Sequence, residues 1–359
     1  MDIAERRAPQ DGRFLVQIDH RNLDLRVSTL PTHYGEKVVM RLLDPASTRV
    51  AFSALGFSEE NSRVLESTLA APQGMLLVTG PTGSGKTTTL YSALNSVRSQ
   101  TVNIITVEDP IEYKIDDINQ VQINPKAGLT FANCLRSILR QDPNIIMVGE
   151  IRDTETAEIA LRSAQTGHLV LSTLHTNDSV SAITRLIDLK VPPFLVASSV
   201  SAVIAQRLVR RLCDCHDEAV MTNEQAGRFL AAGIVDFGGK IYTPAGCAKC
   251  DNSGFKGRVG IYEVLVLDEQ MRAAVRSGVR DEDIRNIARS GGMRLMQEDA
   301  LEKVKTGVTT LDEVLRVVPF ENVQAHRCRN CGKGLAPTFL FCPYCGAGSR
   351  RAMQNTRMA

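Results

Sequence analysis

Polar and apolar residues alternate along Arg13–Leu43, and the period of two predicts strands at Phe14–Ile18, Leu23–Val27 and Lys37–Leu43. This is too little chain for an independent β domain and reads as the end of a larger one. Asp44–Thr48 is polar and contains proline, as a linker does. Ser58–Leu69 reads as a helix that starts at Ser58, with Glu59 and Glu60 in its first turn. The pattern then changes. Strand-like runs at Met75–Thr79, Asn103–Val107, Ile145–Val148 and Leu169–Thr173 alternate with helical segments, among them Thr88–Val97, Leu135–Leu139 and Thr154–Thr166. Asp153 is placed to cap the last of these and Gly167 to stop it. Such alternation predicts an α/β fold, a mainly parallel sheet with helices on both faces. Ligands sit at the carboxyl ends of the strands in such sheets. Glu108 and Asp109 end one strand, Glu150 another and His175 a third. From Leu267 to Val317 the texture is helical again, with short amphipathic helices at Asp281–Ala288 and Thr310–Val317.

Length and composition add bounds to that picture. The 359 residues suffice for two or three domains, and 43% apolar with 23% charged residues is ordinary for a globular chain. We divide the chain into 1–48, 49–211, 212–265, 266–319 and 320–359. The net charge of +2 does not mark a polyanion binder, although Asn322–Ala359 carries six arginines and lysines and no acid. No apolar stretch approaches the roughly 20 residues of a membrane span, and the N-terminus has no secretory h-region.

The most specific chemistry lies in Gly80, Pro81, Thr82, Gly83, Ser84, Gly85, Lys86 and Thr87, a phosphate-binding P-loop between an apolar run and a helix. Its backbone N–H groups and the helix N-terminus, extending to Thr88, suit phosphate oxygens. Lys86 can reach β- and γ-phosphates, and the Thr87 hydroxyl can ligate Mg²⁺. A nucleoside triphosphate is therefore the expected ligand, and ATP is the one implied by the resemblance given below. Glu150, after the apolar strand Ile145–Val148, is placed to position the attacking water. No Walker B aspartate is present, so Mg²⁺ needs Thr87 and another acid, Glu108 or Asp109. His175, at the site end of its strand, suits a γ-phosphate contact; His168, at the other end, reads equally well as structural. Arg26 and Arg41 lie in the N-terminal strands, where the residues alone do not separate a phosphate-binding arginine from a solvated one.

Eight of the nine cysteines form two clusters, and Cys134 stands alone. Cys213, Cys215, Cys247 and Cys250 suit a tetrahedral zinc site, although the first pair has one intervening residue where two is usual and His216 could substitute. Cys328, Cys331, Cys342 and Cys345 form a second set, each pair followed by a glycine, Gly332 or Gly346, as in a zinc ribbon.

Taken together, G-P-T-G-S-G-K-T-T-T, V-E-D-P-I-E-Y, R-Q-D-P-N-I-I-M-V-G-E-I-R-D and H-L-V-L-S-T-L-H-T-N resemble the Walker A, Asp, Walker B and His boxes of secretion ATPases. The resemblance runs from about Gln10 to Val317 and points to the GspE/PilB branch, the hexameric motors of type II secretion and type IV pilus assembly. It implies a RecA-like core after a partial PAS-like domain, Glu150 as catalytic glutamate, Glu108 as the Asp-box acid, and His168 with His175 as the His-box pair. It makes Arg26 and Arg41 candidate arginine fingers, acting across a subunit boundary or after domain closure. A homohexamer on an inner-membrane platform protein, at the cytoplasmic face of that membrane and without nucleic acid, is expected. The tetracysteine insertion points to the assembly branch. The family's N-terminal docking domains and the first half of the PAS-like domain are not in this sequence, and Asn144 stands at a commonly acidic position. The alternatives are a nucleotide-binding subunit with little turnover and, from the ribbon and basic tail, a nucleic-acid translocase.

Overall fold

The structure is a computed structural model that describes residues 1–18, 21–43, 50–222, 225, 240–320, 326–327, 330, 334–335 and 345–347. The Asp44–Thr48 linker and Cys328, Cys331 and Cys342 lie outside the described residues. The chain forms two compact units. The first comprises Met1–Val78, Lys86–Leu174 and Leu186–Ser201; the second comprises Thr79–Gly85, His175–Arg185 and Ala202–Ala359.

In the first unit, β1 (Gln10–Ile18), β2 (Arg21–Thr32) and β3 (Gly35–Leu43) form an antiparallel meander. The strands extend past the predicted runs because their polar ends also pair. One face carries Arg13, Arg26 and Arg41; the alternate positions Phe14, Val38, Met40 and Leu42 are exposed. Helix α1 (Glu59–Leu69) starts where Ser58 accepts from the Asn61 N–H at 3.2 Å. Then follow β4 (Gly74–Thr79), α2 (Lys86–Val97), β5 (Ile104–Glu108), β6 (Asn119–Gln122), α3 (Phe131–Ile138), β7 (Ile145–Val148), α4 (Thr154–Gln165) and β8 (Leu169–Leu174). The strands lie in the order β4-β8-β7-β5-β6, with β8, β7, β5 and β6 parallel. Strands β4, β5, β7 and β8 are buried along their whole length, as strands covered on both faces must be. Asp153 caps α4 by accepting the Thr156 N–H at 2.8 Å, and Gly167 follows the helix at φ +108°. Helix α5 (Ser179–Asp188) begins in the second unit, and α6 (Pro193–Ser199) returns to the first.

In the second unit, the long strand β9 (Val200–Leu212), whose first two residues belong to the first unit, leads to the small hairpin of β10 (Asp217–Ala219) and β11 (Ile241–Thr243). Strand β12 (Phe255–Val266) then returns antiparallel to β9, pairing Val259 with Val209. Helices α7 (Glu269–Ser277), α8 (Asp281–Ser290), α9 (Met296–Lys305) and α10 (Leu311–Val317) complete the unit. Its core is one cluster in which Val209, Val259 and Ile261 meet Met296, Ala300 and Val304 of α9 and Val314 of α10. No helix of the described residues is long and apolar enough to cross a membrane.

Candidate active site

Strand β4 ends at Thr79, the loop runs Gly80–Gly85, and Lys86 opens α2. Within the second unit, β9 braces this loop. Gln206 Nε2 donates to the Ser84 carbonyl at 2.6 Å. Gly80 (φ +149°) and Gly85 (φ +91°) both sit in conformations that glycine favours. A Cβ at Gly80 would lie 2.5 Å from the Gln206 carbonyl, and one at Gly85 would lie 3.0 Å from Leu208 Cδ1. Pro81, Thr82 and Gly83 are exposed, and a Cβ at Gly83 would meet nothing within 4 Å. Ser84 Oγ is buried with no hydrogen-bond partner among the described residues. An orphaned hydroxyl in a loop pinned on one side and open on the other suits a phosphate group. Lys86 and Thr88 are half-buried, and Thr87 is exposed.

The carboxylates belong to the first unit. Glu108 ends β5 and is buried; its Oε1 accepts from Thr106 Oγ1 at 2.6 Å and Gln120 Nε2 at 3.2 Å, and its Oε2 accepts from the Tyr91 hydroxyl. Burial raises the Glu108 pKa, opposed by those three donors and reinforced by the charge of Glu112. Burial, then the charge of Glu108, raises that of Tyr91. Tyr91 is fully buried on α2, so it ties the P-loop helix to the end of β5. Both oxygens of Glu108 are held by protein donors, whereas Asp109 beside it is exposed. Glu150 follows β7 and is half-buried, and its Oε1 lies 2.5 Å from Arg152 Nη2. The Gly149 N–H donates to the Val107 carbonyl at 2.8 Å and the Ile151 N–H to the Thr173 carbonyl at 3.1 Å, which fixes the Glu150 backbone between β5 and β8.

The two histidines stand at opposite ends of β8. His175 is exposed just after the strand, in the second unit, where the next residue is anchored: the Thr176 N–H donates to Thr79 Oγ1 at 2.8 Å. His168 precedes β8 and is tied to α4, its Nδ1 3.0 Å from the Ser163 carbonyl. Arg26 Nη2 meets Glu112 Oε2 at 2.5 Å within the first unit. The Arg41 side chain is exposed, with no hydrogen bond or ion pair to another described residue. Sequence reasoning missed Glu112, Tyr91 and Gln120. Glu112 was visible only as the last acid of V-E-D-P-I-E-Y.

In the second unit, Cys213, Cys215, Cys247 and Cys250 bring their sulfurs within 4.8 Å of one another. Neighbouring sulfurs are 3.7–3.8 Å apart, close to the ~3.8 Å edge of a tetrahedron with 2.3 Å zinc–sulfur bonds. The donor set fits zinc. His216 is engaged elsewhere, with Nδ1 2.8 Å from the Cys213 carbonyl and its ring edge-on to Tyr242. Burial pushes the Cys250 thiol up, but the Cys247 and Gly254 amides, with the Cys247 and Cys215 side chains, outweigh it and bring it to about 6, whereas burial pushes Cys215 up to about 12. Of the second cysteine set, Cys345 is exposed and the other three lie outside the described residues.

The family model described as "Type II/IV secretion system protein" matches residues 1–316. The type II secretion system protein E of Dickeya dadantii is 52% identical over 324 residues, covering 89% of this chain and 64% of that protein. The type II secretion system ATPase E of Vibrio cholerae is 48% identical over 318 residues, covering 88% and 63%. This chain thus spans under two thirds of the length of these relatives. Among solved structures, the pilus retraction motor PilT with bound ADP aligns at TM-score 0.63 and 28% identity, over 87% of this chain and 78% of that one. The ATPase DotB of Legionella pneumophila aligns at TM-score 0.64 and 23% identity, over 86% and 77%, a likeness of fold.

Proposed function

The chain belongs to the type II/IV secretion system protein family, and from that premise we propose that it is an ATP-hydrolysing motor subunit. The observation that carries this reading is the P-loop itself, pinned by β9 yet open at Gly83, with an orphaned Ser84 hydroxyl. The loop amides and Lys86 hold the β- and γ-phosphates. Glu150 holds the attacking water and takes its proton once Arg152 swings away or turns to the phosphate. His175 contacts the γ-phosphate, and Arg26 and Arg41 stabilise the charge that develops on it. Mg²⁺, held through Thr87 and Asp109, would neutralise phosphate charge. Zinc at the four cysteines is structural. The further reading, a homohexamer driving a membrane platform at the cytoplasmic face of the inner membrane, draws on the family. The relatives, named as type II secretion proteins, favour secretion over pilus assembly.

The test is steady-state ATPase activity with two variants. Lys86→Ala should abolish turnover. Glu150→Gln should keep nucleotide affinity within a few fold while kcat falls by roughly 10²-fold or more. Lys86→Ala turnover within about tenfold of wild type would remove the P-loop from the reaction. If wild type and Glu150→Gln both bind nucleotide and turn over equally slowly, the chain is a nucleotide-binding subunit instead.

A further inference from the structure

The register of the N-terminal meander aligns three arginines. Arg13 pairs across from Arg26, and Arg26 from Arg41, so all three stand in a row on one face. Like charges directly opposite each other in a sheet are destabilising, so such a row needs anions. Each arginine is answered differently. Arg13 is held along one edge: Nε lies 2.9 and 2.8 Å from the two oxygens of Asp24, and Nη2 lies 2.6 Å from one of them, with Asp24 only 3% exposed. Arg26 is half open. Only Nη2 meets Glu112, and no other acceptor among the described residues takes Nε or Nη1. The exposed Arg41 side chain has no partner among the described residues.

Glu112 is itself fixed by the P-loop helix. Its backbone N–H donates to the Tyr91 hydroxyl at 3.4 Å, and that hydroxyl donates to Glu108. Tyr91 lies four residues after Thr87, one turn along α2. Arg26 is therefore oriented, through Glu112 and Tyr91, relative to the helix whose first turn holds Lys86 and Thr87. Asp24 grips Arg13 through two nitrogens of one edge, the bidentate arrangement that fixes a guanidinium for stability. The Glu112 pair holds one nitrogen and leaves a second edge of donors pointing away from it, which is what aiming a cation at a phosphate requires.

We propose that Glu112 is a positioning residue that aims Arg26 at the transferring phosphoryl group, an inference that rests on the ATPase reading above. Glu112 touches no substrate in this scheme; it acts through Arg26, and Arg13 with Asp24 only stiffens the row.

The experiment compares wild type, Glu112→Gln, Glu112→Asp, Arg26→Ala and the Arg26→Ala/Glu112→Gln double variant, with Lys86→Ala as control. Two measurements are made: steady-state ATPase kinetics, and binding of a fluorescent N-methylanthraniloyl ADP with and without aluminium fluoride, which mimics the phosphoryl group in transfer. Glu112→Gln should lose about 10–100-fold in kcat with KM within twofold. It should bind the labelled ADP as wild type does but lose the tightening that aluminium fluoride gives. Glu112→Asp should recover part of both, and the double variant should be no worse than Arg26→Ala. A Glu112→Gln variant as fast as wild type or faster, or losses that multiply in the double variant, would overturn the proposal. Failure of the ATPase reading has a different signature: wild type binds the labelled ADP, but turnover is absent or indifferent to Lys86→Ala. The aluminium-fluoride response of Glu112→Gln then still decides the role of Glu112.

Discussion

Glu108 and Glu150 end adjacent parallel strands, and their surroundings give them opposite characters. Glu150 is half-buried beside the exposed side chain of Arg152, where a carboxylate can exchange partners. Glu108 is enclosed by Thr106, Tyr91 and Gln120, and burial raises its pKa. Tyr91→Phe removes one donor from a buried carboxylate without changing the ring, a loss of about 1–3 kcal/mol. Its pH dependence follows from the direction of the shift. A carboxyl whose folded pKa lies above its unfolded value of 4.5 binds its proton more tightly in the native state, so its contribution to stability declines as pH rises through that window. Without the phenol the folded pKa climbs further. The deficit of Tyr91→Phe, measured by urea unfolding, should be small near pH 4 and grow toward pH 7. An equal deficit at both values would mean that Tyr91 acts through packing alone.

At the scale of elements, Glu313 joins α10 to β9. It accepts the Arg210 N–H at 2.9 Å, Arg210 Nη2 at 2.8 Å and Arg316 Nη2 at 2.9 Å. Burial pushes its pKa up, but Arg210 and Arg316 outweigh this and hold it at about 2. A depressed carboxylate contributes stability above its unfolded pKa of 4.5 and loses it as pH falls through the folded value. The stability gap between wild type and Glu313→Gln should therefore be full at pH 6 and shrink from about pH 5 toward pH 2. A gap that did not change with pH would reduce Glu313 to a packing role. None of this contact was readable in the sequence, because 103 positions separate its partners. What was readable has a local cause. Ser58, Asp153 and Thr310 announced their helices because capping depends on the next three residues. The P-loop and the buried strands were likewise written in contiguous runs. Strand β9 was not: its thirteen residues are nearly all buried at first and half exposed near Arg210, so no single period marks it. Its partner β12 lies some fifty residues on, beyond the cysteine loop. Glu112 was hidden for the same reason, since 86 positions separate it from Arg26.

Across the whole molecule, the family match stops at residue 316, one residue before the end of α10, and Val318 is the last buried residue of the second unit's core cluster. The core cluster of the second unit is therefore complete before the second set of cysteines begins. The two cysteine sets stand differently to that boundary. The set at Cys213, Cys215, Cys247 and Cys250 lies inside the matched region, at the end of β9 and before β12, so a metal bound there would hold the loop that links two paired strands. The set at Cys328, Cys331, Cys342 and Cys345 lies beyond the match, and its residue types would suit a metal of its own. The full chain should bind two equivalents of zinc. Removing residues 322–359 should lower that to one and leave both ATPase activity and the unfolding midpoint of the motor unchanged. Cys250→Ser in the shortened chain should then remove the remaining equivalent and lower the unfolding midpoint, because the β9–β12 connection loses its clamp. ATPase activity that falls on truncation would show that the terminal module is part of the motor. Zinc content that stays at two would place the second metal somewhere other than these cysteines.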